Sequence, residues 1–123
     1  MAEFNYDNRR FVGVENYDDG DLTSEVVFHY RQEGTEVRGT FSGGRVKQGK
    51  LVAELLPDGR LNMIWQYLNV DGQFVSGTCL STPELLSDGR YRLYEEWTIT
   101  SGPNQGLAGT SAIEEIQNEE TQK

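Results

Sequence analysis

At near-regular intervals the sequence carries pairs of residues that reverse a chain. Asp-Gly occurs at Asp19-Gly20, Asp58-Gly59, Asp71-Gly72 and Asp88-Gly89. Glycine reaches the positive φ that tight hairpin turns need, and aspartate bonds the backbone beside it. Glu33-Gly34, Gly43-Gly44 and the run Ser101 to Gly106 (SGPNQG) fill the gaps, giving seven turn regions and eight intervening segments. A chain punctuated this often has no room for long helices.

The segments read as strands: Arg9–Asn16, Ser24–Gln32, Thr35–Ser42, Arg45–Leu56, Arg60–Asn69, Phe74–Thr82, Arg90–Thr100 and Leu107–Ile116. Several alternate with the period of two that a half-buried strand requires. Val26, Phe28 and Tyr30 share a face, as do Val37, Gly39 and Phe41, and Leu61, Met63, Trp65 and Tyr67. Tyr91, Leu93, Glu95, Trp97 and Ile99 share another. No segment shows a period of 3.6. Ser81-Thr82-Pro83-Glu84 has the spacing of a helix cap but reads better as a Pro-bent loop with Leu85 and Leu86 tucked in. Short turns between consecutive antiparallel strands make a meander. An open meander would leave two edges exposed to aggregation, and about eight strands is a number that closes. The expectation is therefore an all-β, up-and-down antiparallel barrel of about eight strands, with a β-sandwich as the alternative. Residues 1–123 form one domain, with 1–8 and 117–123 as loose termini.

Composition narrows the function classes. The chain has 11 Lys+Arg against 20 Asp+Glu, a formal net charge of −9. That charge repels phosphate backbones and anionic lipid, so neither nucleic acid nor a membrane surface is an expected partner. No apolar run approaches the ~18 residues of a membrane span, and no leader-like stretch opens the chain, which points to the cytoplasm. One cysteine, Cys79, and one histidine, His29, leave no metal site and no internal disulfide to expect. No cofactor is expected either, since the phosphate-binding and nucleophile-elbow motifs are missing. The residues Asn16, Asp18, Asp19 and Asp21 crowd a turn without the closing Glu of a calcium loop and read as a solvated hairpin tip.

Glu95 is the sharpest candidate. It falls between Leu93 and Trp97 on an apolar strand face, so alternation points it inward, where a carboxylate must be compensated. It either meets a ligand or a reacting group, or pairs with an interior Arg or Tyr. A slip of one residue would turn Glu96 inward instead. Tyr30, Trp65, Tyr67 and Trp97 complete a candidate ligand-binding set with Glu95, since aromatic walls with few polar groups are the composition of a pocket. The same rings could simply fill a small barrel. His29 alternates outward, and Cys79 reads as a buried small side chain.

The segments FHYRQEG (Phe28–Gly34), FSGG (Phe41–Gly44), STPELLSDGR (Ser81–Arg90), RLYEEW (Arg92–Trp97), TSG (Thr100–Gly102) and IEE (Ile113–Glu115) together resemble a group of small bacterial proteins, over about Asn5 to Ile116. That group is often labelled N-acetylglutamate synthase. The label is not supported by this sequence, which lacks the Arg/Gln-x-x-Gly-x-Gly/Ala loop before a helix that would hold acetyl-CoA. The resemblance therefore transfers no catalytic residue. In size the chain is similar to streptavidin-like proteins, which implies calycin-type architecture but no function. The leading expectation is a small-molecule-binding barrel with its ligand in the interior or mouth. Alternatives are a lyase or isomerase using Glu95 as acid and base, and a filled-core structural or interaction domain. Assembly into a homo-oligomer is left open.

Overall fold

In the computed structural model, residues 4–16 and 20–116 are described. The strands are β1 (Arg9–Glu15), β2 (Val27–Glu33), β3 (Glu36–Gly43), β4 (Val46–Leu55), β5 (Leu61–Asn69), β6 (Phe74–Leu85), β7 (Tyr91–Ser101) and β8 (Ala108–Glu115). Each pairs antiparallel with the next, and β1 pairs with β8, so the sheet closes into a barrel in chain order. Closure leaves no edge strand in the sheet, only short unpaired strand ends. The expected all-β, up-and-down barrel is the observed fold.

The two Asp-Gly-Arg turns are built alike. Gly59 (φ 94°) and Gly89 (φ 93°) take a left-handed conformation, and their N–H groups donate to the carbonyls of Leu56 and Leu86 at 2.9 and 3.0 Å. In each, the aspartate carboxylate then accepts from the arginine side chain two residues on: Arg60 to Asp58 at 2.8 Å and Arg90 to Asp88 at 2.7 Å. The turn after β5 repeats the backbone device, with Gly72 N–H donating to the Asn69 carbonyl at 3.0 Å.

The alternation expected from the sequence sets the inward face. Phe28, Tyr30, Val37, Phe41, Leu61, Met63, Tyr67, Tyr91 and Leu93 are buried. His29 lies off this face and its Nε2 bonds Asn8 Oδ1 at 3.0 Å. The interior divides into two halves. At one end lie the β2–β3, β4–β5 and β6–β7 turns, and here the lumen is filled by Tyr6, Phe11, Tyr30, Leu61 and Leu93. The other end carries the remaining loops and holds every register shift among the described strands, between Gly13 and Glu15, Phe41 and Gly43, Val46 and Gln48, and Ser76 and Gly77. Bulges bend strands and are favoured at barrel rims.

Three local expectations need correction. Residues 4–8 are not loose. Tyr6 is fully buried and its hydroxyl donates to the Gly59 carbonyl at 2.8 Å, Phe4 packs edge-on against Tyr91, and Asp7 accepts from Arg31 and from the Gln32 N–H. This segment caps the filled end, where the barrel would otherwise expose apolar surface. Residues 1–3 and 117–123 lie outside the described residues. The stretch Ser81 to Leu85 is not a tucked loop: β6 runs through Pro83, paired with Leu93, and Leu85 is 61% exposed. β5 ends opposite Ser81, so the β5 side of the strand is unpaired from Thr82 onward, and an edge tolerates proline. The third correction, at Asp21, belongs to the site.

Candidate functional site

The open half of the barrel encloses a cavity of about 510 Å³. Interiors of eight-stranded barrels are either filled by side chains or hold one small ligand. Among the described residues, what keeps side chains out of this half is a set of glycines on the inward face. Gly77 pairs with Trp65, Gly109 with Trp97, and Gly49 with both Phe41 and Tyr67. A Cβ on Gly77 would lie 2.3 Å from the Trp65 ring, on Gly49 2.3 Å from Phe41, and on Gly109 2.7 Å from Trp97. Each ring therefore occupies the space that a side chain on the neighbouring strand would take. Strand glycines mark such close approaches. The pairing could be read only once the register was known.

All five residues proposed from the sequence line this cavity: Tyr30, Trp65, Tyr67, Glu95 and Trp97. Trp65 and Tyr67 stack with centroids 6.0 Å apart and planes at 13°, and the Trp65 Nε1–H donates to the Thr78 carbonyl at 3.2 Å. Both tryptophans are half-buried rather than core residues, each bordering the cavity and also a depression on the outer wall. Glu95 points inward, as the alternation requires, and is 7% exposed. Glu96 is on the outer face.

Glu95 marks the deep end of the cavity. Across the β7–β8 ladder it faces Ser111, whose hydroxyl donates to Glu95 Oε1 at 3.3 Å. Across β6 it faces Ser81, whose hydroxyl bonds the Cys79 sulfur at 3.5 Å. Burial, and then the nearby Glu95 charge, push the Cys79 thiol far up. A thiol held protonated is a poor nucleophile. Among the described residues, no cluster of three His, Cys, Asp or Glu side chains is placed to hold a metal ion.

The mouth is polar and its anchor was missed by sequence reasoning. Asp21 is not a solvated hairpin-tip residue. Its Oδ2 accepts from the Tyr67 hydroxyl at 3.0 Å and from Asn69 Nδ2 at 3.1 Å, and its Oδ1 accepts from Arg45 Nε at 3.0 Å. Burial alone would raise the Asp21 carboxyl, but the bonds from Asn69, Arg45 and Tyr67 outweigh it and hold it below the usual carboxylate range. Arg45 in turn pairs with Asp71 on the β5–β6 turn. The loop between β1 and β2 is thereby tied across to the β3–β4 turn and to β5. Asn16, Leu22, Gln73, Asn104 and Leu107 complete the rim. Asp18 and Asp19 lie outside the described residues.

The outer Arg92-x-Tyr94 pair takes no part in the cavity. Arg92 pairs with Glu114 at 2.9 Å, and the Tyr94 hydroxyl donates to Glu84 at 2.7 Å.

No curated protein matches the sequence. A closed antiparallel barrel with one open, aromatic-lined end is joined by a family match over residues 4–116, from the cap of the filled end to just past β8, and the chain belongs to the family described as avidin-like protein.

Proposed function

We propose that this barrel is a small-molecule-binding protein whose ligand enters between the β1–β2 and β7–β8 loops and sits in the open half of the lumen. One observation carries the reading: a cavity of about 510 Å³ that the described side chains leave unfilled, beside glycines whose missing Cβ positions are taken by the aromatic rings. A barrel built only for stability would fill that space, since empty apolar volume costs free energy. The size falls in the range of ordinary ligand pockets. Avidin-like proteins take small ligands such as biotin, which makes biotin the natural first probe. Trp65 and Trp97 are the only tryptophans and both line the cavity, so their emission reports its contents. Titration with biotin and then with a broad set of small flat organic molecules is expected to shift that emission. The shift should vanish in Ser111→Phe, where a ring fills the floor without adding an emitter, with circular dichroism used to check that the variant keeps its fold. A wild type silent to biotin and to the whole set overturns the reading.

A further inference from the structure

We infer that the cavity selects organic cations: molecules with a flat or apolar body and a positively charged, N–H-bearing head that docks against Glu95. The inference rests on the reading of the cavity as a ligand site and adds the chemistry of what enters it.

The charges of the lining point this way. Among the described residues that line the cavity there are two carboxylates, Asp21 and Glu95, and no Lys, Arg or His. Asp21 sits at the rim, tied to Arg45, and Glu95 accepts from the Ser111 hydroxyl. Glu95 lies deep, where low-dielectric walls strengthen its field. Cys79 beside it stays neutral, since burial and the Glu95 charge hold its proton. An anionic head reaching the floor would meet repulsion and no donor cation. A cationic head would meet a carboxylate able to accept from more than one N–H at once.

The walls fit the same class. The Trp65–Tyr67 stack and the ring of Trp97 flank the approach to Glu95. Aromatic faces attract cations and pack against flat apolar bodies. An organic cation fits better than a metal ion, because no cluster of metal-ligating side chains exists among the described residues.

The test is isothermal titration at neutral pH with three compounds of one shape: benzamidine, a cation with N–H donors, neutral benzamide, and anionic benzoate. Wild type is expected to bind benzamidine about tenfold or more tightly than benzamide, the scale of one charge-assisted hydrogen bond, and benzoate most weakly. In Glu95→Gln the benzamidine affinity should fall to that of benzamide while benzamide itself is little changed. Equal binding of the three, a preference for benzoate, or a cation preference that survives Glu95→Gln overturns the inference and leaves the ligand-site reading standing. No binding by any of the three overturns the inference also, and the tryptophan titration with biotin and the wider set then decides the underlying reading by itself. If Glu95→Gln does not fold, the order of the three probes in wild type is enough to decide.

Discussion

Glu95 and the strand glycines show how unequally single residues disclose their roles. A carboxylate on an apolar strand face violates the pattern around it, so the sequence singled out Glu95 for the interior, while the choice between Glu95 and Glu96 needed the register of β7. The aromatic members of the cavity, Tyr30, Trp65, Tyr67 and Trp97, were legible for the same reason, but whether they fill or line the lumen was not. That depends on Gly49, Gly77 and Gly109 lying directly across from them, and register between distant strands is invisible in a single chain. The glycines differ in what surrounds them, and this separates two expected outcomes. A Cβ at Gly77 would meet the Thr98 carbonyl at 2.3 Å as well as the Trp65 ring, and backbone cannot give way. Gly77→Ala should therefore destabilise the barrel by about 1–3 kcal/mol or more, the range for overpacking, in urea melts. At Gly109 the nearest atoms are the far end of the Trp97 ring, at 2.7 Å, which can swing into the lumen. Gly109→Ala should cost less stability and more ligand binding; a larger loss of stability than Gly77→Ala would contradict this account. Cys79 gives a simpler check. Its thiol, buried and pushed up, should resist a thiol reagent such as DTNB in native protein at pH 8 and react once unfolded, and fast native labelling would show the floor to be open and the thiol ionisable.

Among the elements, β-strands and turns were readable because period-two alternation and Asp-Gly punctuation are local signals. The segments that close the two ends were not, since each acts through contacts far along the chain. Residues 4–8 reach Gly59 and Tyr91, and Asp21 reaches Arg45, Tyr67 and Asn69. Polar, short and turn-rich, both stretches look solvated until their partners are placed. The Asp21 tie carries a pH dependence whose direction follows from its bonds. Its carboxyl is held below its unfolded value, so the tie stabilises the folded protein at any pH above the ordinary aspartate range of about 4. That contribution disappears as pH falls through the lower, folded value. Wild type should accordingly melt higher than Asp21→Asn at pH 7, and the gap should close as the pH is lowered below about 4. A gap that stays constant from pH 7 to pH 3 would mean that the carboxylate charge is not what ties the loop. The same variant should speed ligand exchange at the mouth, because the β1–β2 loop would lose its anchor to the β3–β4 turn and β5.

For the molecule as a whole, closure makes every strand depend on the one pairing that joins the chain's two ends. β1 meets β8 across most of the sequence, and on its other side it matches β2 only from Arg9↔Tyr30 to Val12↔Val27. By contrast β6 and β7 are matched from Ser76↔Ser101 to Leu85↔Tyr91, and β4 and β5 along nearly their whole lengths. Short ladders with few neighbours open first, since local stability follows the pairing and burial that an opening must break. The β1–β2 seam is thus the weakest line in the wall, and it runs into the loop that carries Asp21 at the rim. Hydrogen exchange resolved by residue should therefore find the seam-facing amides of Arg9, Phe11, Phe28 and Tyr30 exchanging well before those of β4 to β7. A ligand held in the open half touches residues from both sides of the barrel, including Phe28 on β2 and Trp97 on β7. Anything that binds the closed form and not the opened one raises the free energy of opening by mass action. Saturation with a cavity ligand should slow exchange at the β1–β2 seam and leave the sub-globally stable β6–β7 ladder much less affected. Uniform protection across all strands would instead mean that the barrel opens only by global unfolding, with no weaker seam through which the lumen communicates with solvent.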